Sequence, residues 1–181
     1  AILETLSAGI ADAELRRALG LAVRRLGLGD PAAAYARDLG IEGGVSGYIG
    51  HTVPVALYCW LRRPGDFRGA VEEAVLLGGD TDTTGFLAGT LAGASWGGSA
   101  IHQECVSGLL AWTRSAAWMR SLALRIGKVF NQAERTTGGP VPLFWPGLLP
   151  RNALLAAAVF AHGLRRALPP YGSGPRLRAW T

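Results

Sequence analysis

The chain has 181 residues, of which 49% are hydrophobic, so it is long enough to form one globular domain with a substantial core. No apolar run reaches the roughly 20 residues of a membrane-spanning helix, and the N-terminus lacks the features of a signal peptide, so we expect a cytoplasmic protein with no membrane partner. The net charge is +5, but the arginines are dispersed as pairs at the edges of apolar segments, and we therefore expect no nucleic-acid partner.

Apolar residues recur at helical spacing along nearly the whole chain, and the alternation of β-branched residues that is typical of strands is nearly absent. The pattern predicts an all-α fold, a compact multi-helix bundle that forms a single domain over residues 1–181 and ends in a mobile tail at 169–181. The predicted helices are 13–26, 32–39, 52–61, 67–77, 84–96, 100–112, 115–128 and 153–168.

Three local features accompany these helices. Asp30 followed by Pro31 predicts a helix N-cap with proline at the first helical position. Asp66 predicts a second N-cap. Cys59 and Cys105 have no C-x-x-C spacing, and we expect two buried thiols in a reducing compartment.

The most informative segment of the chain is the octet GGDTDTTG at 78–85. It places Asp80, Asp82 and the hydroxyl of Thr83 at positions i, i+2 and i+3. Carboxylate and hydroxyl oxygens are the hard donors that Mg²⁺ or Mn²⁺ prefers. The two leading glycines allow a sharp turn of the backbone, so that both acids can point to one side.

A helix is predicted directly after this octet, and glycines recur on one of its faces at Gly85, Gly89 and Gly93. Each glycine costs a helix roughly 1 kcal/mol relative to alanine. We therefore expect another helix or a ligand to approach that face closely.

The residues alone leave two interpretations of the octet open. It is either a helix N-cap, in which Thr83 or Thr84 accepts a backbone hydrogen bond, or a metal-binding turn. An EF-hand is excluded, because Leu91 stands where the calcium loop needs its bidentate glutamate. The phosphate-binding pattern G-x-x-x-x-G-K-[ST] is absent.

Three stretches resemble the ADP-ribosylglycohydrolase family. The first is the GGDTDT run with the G-x-x-x-G-x-x-x-G-A helix behind it, at 78–94, and it is highly specific. The second is GYIGHTVPVAL at 47–57, which is similar to the family's G-Y-V-x-x-T-x-x-x-A-L segment. The third is the spacing that joins them through an acidic helix at 66–73. The family includes enzymes that reactivate ADP-ribosylated dinitrogenase reductase and enzymes that remove ADP-ribose from arginine or serine.

The resemblance implies an all-α hydrolase that binds two Mg²⁺ ions, sometimes Mn²⁺, at the floor of a cleft for ADP-ribose. It implies that Asp80, Asp82 and Thr83 are metal ligands, that the two aspartates are catalytic, and that Asp82 bridges the ions. The substrate would be an ADP-ribosylated protein or a small ADP-ribose conjugate, cleaved at C1″.

The resemblance also assigns substrate contacts to Tyr48, His51 and Gly79. For Tyr48, a place in the hydrophobic core is an equal alternative.

The chain departs from the family pattern in one respect. The family's early G-x-x-x-G-D-x-x-G helix and its T-D-D-[ST] cluster, which supply the remaining metal ligands, are absent, and no two aspartates are adjacent. Since the sequence starts with alanine, we expect the C-terminal part of a longer family chain, with a preceding segment that completes the site. One alternative is a degenerate, non-catalytic binding or structural module. Another is an unrelated all-α, Mg²⁺-dependent phosphohydrolase that acts on nucleotides.

Overall fold

A computed structural model describes residues 2–109, 111–132 and 139–167 of the chain. These residues form nine α-helices and no β-strand, which confirms the predicted all-α fold. The helices are α1 (Ile2–Gly9), α2 (Ala13–Leu28), α3 (Ala32–Asp38), α4 (Ile49–Arg62), α5 (Phe67–Leu76), α6 (Thr81–Trp96), α7 (Gln103–Ser107), α8 (Ala116–Gln132) and α9 (Leu148–Ala167). None of the described helices is long and apolar enough to cross a membrane.

The chain divides into two compact units, Ala1–Val106 and Ser107–Thr181. The prediction of a single domain over residues 1–181 stays a prediction. The expected tail at 169–181 lies outside the described residues.

In the first unit, α4 packs against α2, α3, α5 and α6, and α5 packs against α6. The core contains Leu19, Val55 and two tyrosines, Tyr35 and Tyr58, whose rings stack with centroids 4.3 Å apart. Both phenols are satisfied, since Tyr35 donates to the Ala18 carbonyl at 3.0 Å and Tyr58 donates to the Asp30 carbonyl at 2.7 Å. Burial raises the pKa of both tyrosines above the ordinary value, so both stay neutral donors.

A network of ion pairs joins α2, α3, α4 and α5. The Glu73 carboxylate accepts from Arg62 at 2.6 Å, from Arg63 at 3.0 Å and from the Ala32 backbone N–H at 3.1 Å. Arg62 also donates to the Asp30 carbonyl at 2.7 Å. The pKa of Glu73 is raised by burial, but these hydrogen bonds outweigh that effect and lower it on balance.

Of the two predicted caps, one is confirmed. The Asp66 carboxylate accepts the Gly69 N–H at 2.8 Å and begins α5. The prediction for Asp30 and Pro31 was wrong, because Pro31 itself is the N-cap of α3 and makes no side-chain cap bond. The Asp30 carboxylate instead pairs with Arg25 at 2.6 Å, and this charged partner outcompetes the backbone N–H groups.

Several helix boundaries and one whole helix also differ from prediction. α4 begins at Ile49 and α6 at Thr81, each three residues earlier than expected. The predicted helix 100–112 was wrong, since that stretch contains only the short α7. Gly97, with a positive φ of 78°, ends α6, and Gly108 directly follows α7, so a long helix is disfavoured at both points.

The prediction for the cysteines holds for one of them. Cys59 is fully buried in α4, and burial raises the pKa of its thiol to about 12, so it stays an unreactive thiol. Cys105 is exposed, because it lies on the five-residue α7, which buries none of its residues.

In the second unit, α8 and α9 are both amphipathic, and a 3-10 turn at Trp145–Gly147 leads into α9. α9 begins five residues earlier than predicted, and Pro150 is accommodated in its first turn, where its missing N–H costs no hydrogen bond. The Trp118 indole donates to the Pro142 carbonyl at 3.0 Å, which ties α8 to the segment before α9.

Candidate functional site

Two loops that are distant in sequence are joined by backbone hydrogen bonds. The Val45 N–H donates to the Gly78 carbonyl at 3.0 Å, and the Asp80 N–H donates to the Val45 carbonyl at 2.6 Å. Val45 and Gly79 therefore form an isolated parallel bridge. The bridge holds the glycine-rich loop before α4 directly against the aspartate turn before α6.

The glycines of both loops are needed for this approach. Gly79 has φ +78°, and a Cβ atom on it would lie 2.2 Å from the Val45 carbonyl oxygen. Gly44 has φ +119°, and a Cβ atom on it would lie 2.4 Å from the Gly79 nitrogen. Since no side chain fits at either distance, the paired glycines serve a backbone-to-backbone contact and not only a sharp turn.

Asp80 is the N-cap of α6. Its carboxylate accepts the Thr83 N–H at 3.4 Å, and the buried Thr84 hydroxyl donates to the Asp80 carbonyl at 2.8 Å. The capping interpretation had named Thr83 or Thr84 and was wrong in that detail, because the helix begins at Thr81. Capping uses one carboxylate oxygen of Asp80, so it does not exclude a second role for that side chain.

The three predicted metal ligands lie together on the first turn of α6. Asp82 and Thr83 are exposed. A Cβ atom on Gly47 would lie 3.0 Å from Asp80 Oδ2, so glycine at this position keeps that oxygen uncovered. A solvent-facing, all-oxygen donor set fits a hard divalent cation.

All three of these oxygen donors come from one turn of the chain. In residues 2–109, 111–132 and 139–167, no group of three or more histidine, cysteine, aspartate or glutamate side chains could hold a metal ion. Two hard cations need several oxygen ligands each. Three oxygen donors on one turn would therefore fill only part of the coordination spheres of two such cations.

Tyr48 and His51 lie at the start of α4, next to Gly47. The Tyr48 ring is 50% exposed, which overturns the alternative that it is a core residue. Its phenol donates to Glu14 Oε2 at 3.0 Å, and its ring meets the His51 ring edge-on with centroids 5.4 Å apart. The His51 Nδ1 lies 3.0 Å from the Ser46 hydroxyl. Gly47 lies next to the Asp80 carboxylate, and Tyr48 follows Gly47 directly in the chain. Tyr48 and His51 therefore begin α4 beside the contact between the two loops.

Glu14 is the neighbour of this site that sequence reasoning missed. It stands in the first turn of α2, where an acidic residue is common because it favours the helix dipole, so no local pattern distinguishes it. It lies 34 residues from Tyr48, and only the tertiary fold brings the two together.

Close helix packing fixes the position of α6. A Cβ atom on Gly85 would lie 3.0 Å from a Val75 methyl group, and one on Gly89 would lie 3.3 Å from a Val71 methyl group, both on α5. The predicted close approach is therefore confirmed at these two glycines. At Gly93 no described atom lies within 4 Å of the Cβ position, so no described helix approaches there, and the approach of a ligand stays a prediction.

A family model described as ADP-ribosylglycohydrolase matches residues 1–136, about three quarters of the chain. The match contains both loops, Glu14 and all the predicted site residues. No curated protein and no solved structure matches the chain.

Proposed function

The chain belongs to the ADP-ribosylglycohydrolase family, and on that premise we propose that it is a Mg²⁺-dependent hydrolase that removes ADP-ribose from a protein side chain or a small conjugate. The observation that supports this proposal best is the bridge between Val45 and Gly79. It joins the loop that carries the candidate metal ligands to the loop that leads into Tyr48 and His51.

Asp80, Asp82 and Thr83 would hold Mg²⁺, with Mn²⁺ as a substitute. The bound cations would supply positive charge that orients the ribose hydroxyls and favours cleavage at C1″. The chain's own contribution would be to hold the carboxylate and hydroxyl oxygens at the start of α6. The cap bond from Thr83 N–H holds the Asp80 carboxylate at the helix terminus, while Gly47 leaves its second oxygen accessible.

Tyr48, His51 and Gly79 would form the substrate side of the site. The half-exposed ring of Tyr48 offers a flat aromatic surface to ADP-ribose, with the imidazole of His51 beside it. Gly79 is exposed on the side that does not contact Val45, so its backbone could meet the substrate there.

The experiment is to measure ADP-ribose release from ADP-ribosylated arginine, ADP-ribosylated serine and O-acetyl-ADP-ribose, with Mg²⁺ and with a chelator. The assay supplies the family's T-D-D-[ST]-containing segment as a separate polypeptide, and with it we expect Mg²⁺-dependent release by the wild type and none by Asp82→Asn. Asp66→Asn is the matched control, since it also neutralises an acid near a helix N-terminus but lies on α5 and can still cap. Full activity of Asp82→Asn would contradict the assignment, and release of phosphate from a nucleotide instead of ADP-ribose would favour a phosphohydrolase.

A second candidate function is a non-catalytic module that binds ADP-ribose. It is favoured by one observation, the lack of a third metal-ligating acid, histidine or cysteine beside the aspartate turn in the described part of the chain. Calorimetry with Mg²⁺ and ADP-ribose separates the two functions. Binding without release of ADP-ribose from any of the three substrates supports the module, and release supports the enzyme.

A further inference from the structure

We infer that Glu14 is a positioning residue, which holds the ring of Tyr48 in the orientation that receives ADP-ribose. The inference rests on the proposed function, because it concerns the substrate side of the same site. It assigns a role in substrate binding to a residue of α2, which lies outside the two family-like stretches at 47–57 and 78–94.

The Tyr48 ring is restrained by neighbours on several sides. Its hydroxyl donates to Glu14 Oε2 at 3.0 Å. A Cβ atom on Gly50 would lie 2.5 Å from Tyr48 Cε1, so the ring lies flat against a glycine that leaves room for it. The His51 ring meets it edge-on. Glu14 is the neighbour that engages the hydroxyl at the tip of the side chain.

The backbone of Tyr48 is fixed as well. Its carbonyl accepts the Thr52 N–H at 3.0 Å and the Thr52 hydroxyl at 3.1 Å. The same hydroxyl lies 2.8 Å from the Ser46 carbonyl, so it ties the loop to the first turn of α4. With the backbone fixed, the two side-chain torsions of Tyr48 remain, and the bond to Glu14 restricts both.

Glu14 stands on a rigid support. Its helix, α2, buries Ala18, Leu19 and Ala22, and the Asp12 carboxylate caps the helix by accepting the Leu15 N–H at 2.7 Å. The carboxylate that meets Tyr48 is therefore held by an element of the core. Hydrogen bonding to Glu14, with the charges of Glu14 and Asp12, raises the pKa of Tyr48 and keeps the phenol a donor.

This contact serves binding more than folding. Both side chains are exposed, and a hydrogen bond between exposed groups adds little to the stability of the fold. A side chain that is ordered before the ligand arrives, however, removes an entropy cost from binding. The substrate's own phosphates are anionic, so a direct electrostatic role of the Glu14 charge would weaken binding and not strengthen it.

The test is ADP-ribose binding, measured by calorimetry in Mg²⁺ for a set of variants. We expect Glu14→Ala to weaken binding about three- to tenfold, the size of one lost ordering contact. Glu14→Gln should keep most of the affinity, since its amide oxygen still accepts from the phenol. Glu72→Ala, on the exposed surface of α5, is the matched control for loss of a glutamate and should bind as the wild type does.

A double-mutant cycle with Tyr48→Phe separates positioning from a structural effect. Without the hydroxyl, Glu14→Ala should cause no further loss of affinity. In the same proteins, the titration of Tyr48 followed by NMR should move to lower pH in Glu14→Gln than in the wild type. An unchanged titration, or tighter binding in both Glu14 variants, would overturn the inference.

The outcomes also distinguish this inference from the proposed function. If the wild type does not bind ADP-ribose in Mg²⁺, both are overturned. If the wild type binds and Glu14→Ala binds equally well, only the positioning role is overturned.

Discussion

The two units of this chain differ in where their apolar side chains lie. Among the residues of Ala1–Val106 that the structure describes, seventeen hydrophobic residues are buried, including Leu19, Tyr35 and Val55. In the described part of Ser107–Thr181, no hydrophobic side chain is buried, and α9 exposes Leu154 and Phe160 by 71% and 74%. Residues 1–106 contain twelve acidic and eight basic residues, whereas residues 107–181 contain one acidic and ten basic residues.

An amphipathic sequence pattern therefore does not by itself indicate that the helix packs into a core. In the first unit α2, and in the second α8 and α9, show a clear apolar face, but helix stability in proteins comes mostly from packing that face against a partner. The first unit packs its faces internally and holds the candidate site. We therefore expect the free energy of unfolding to be concentrated in residues 1–106, and three substitutions test that comparison.

The largest effect is expected from truncation of a core side chain. Leu19→Ala should lower the free energy of unfolding of the first unit by about 2–5 kcal/mol, because it leaves a cavity in the core. Leu154→Ala, the same change on the exposed face of α9, should change stability by less than about 0.5 kcal/mol. Hydrogen exchange read by mass spectrometry, peptide by peptide, measures both. Equal losses in the two variants would remove the distinction between the units.

A smaller effect is expected from the loop contact. Gly79→Ala should cost about 3 kcal/mol, because its methyl group would overlap the Val45 carbonyl at a positive φ. Gly93→Ala and Gly127→Ala are the controls in α6 and α8, where a methyl group meets no described atom within 4 Å, and each should stabilise by up to about 1 kcal/mol. Denaturant unfolding gives the three values, and a wild-type stability for Gly79→Ala would show that the loops are not in contact.

The smallest effect is expected from the ion-pair network around Glu73. The lowered pKa of Glu73 means that its contribution is present above the unfolded pKa, about 4.3, and is lost as the pH falls through the folded pKa. Glu73→Gln should therefore cost about 1–3 kcal/mol at pH 7.

As the pH falls below about 4.3 the cost of Glu73→Gln should shrink, and it should vanish only below the lowered folded pKa of Glu73, where the wild-type carboxyl is also neutral. Chemical denaturation at a series of pH values measures this. Arg151→Gln, which removes an exposed contact to Asn152 in α9, should show no such dependence. A cost that does not vary with pH would mean that the charge of Glu73 is not involved.

The sequence predicted what is local. The all-α fold follows from the helical periodicity of the apolar residues. The octet at 78–85 could be selected as a candidate site from its composition and the spacing of its aspartates alone. The bridge from Val45 to Gly79 and the bond from Tyr48 to Glu14 each span 34 residues, so no window of sequence could reveal them.

The errors have a similar origin. Asp30 was expected to cap α3 because the local pattern is typical of a cap. Its carboxylate is taken by Arg25, which a local pattern cannot anticipate. Cys105 was expected to be buried, but its segment forms only one short helix between glycines. A tertiary ion pair decided the first outcome, and local interruption of the helix decided the second.

The central claim is that the loops joined through Val45 and Gly79 form one Mg²⁺-dependent site for ADP-ribose. The most direct measurement is calorimetric titration with ADP-ribose, with Mg²⁺ and with a chelator, for the wild type, Asp82→Asn and the Asp66→Asn control. We predict Mg²⁺-dependent binding in the wild type and the control, and binding weaker by about tenfold or more in Asp82→Asn, the loss of one charged ligand. Equal affinity in all three proteins, or binding that ignores Mg²⁺, would contradict the claim.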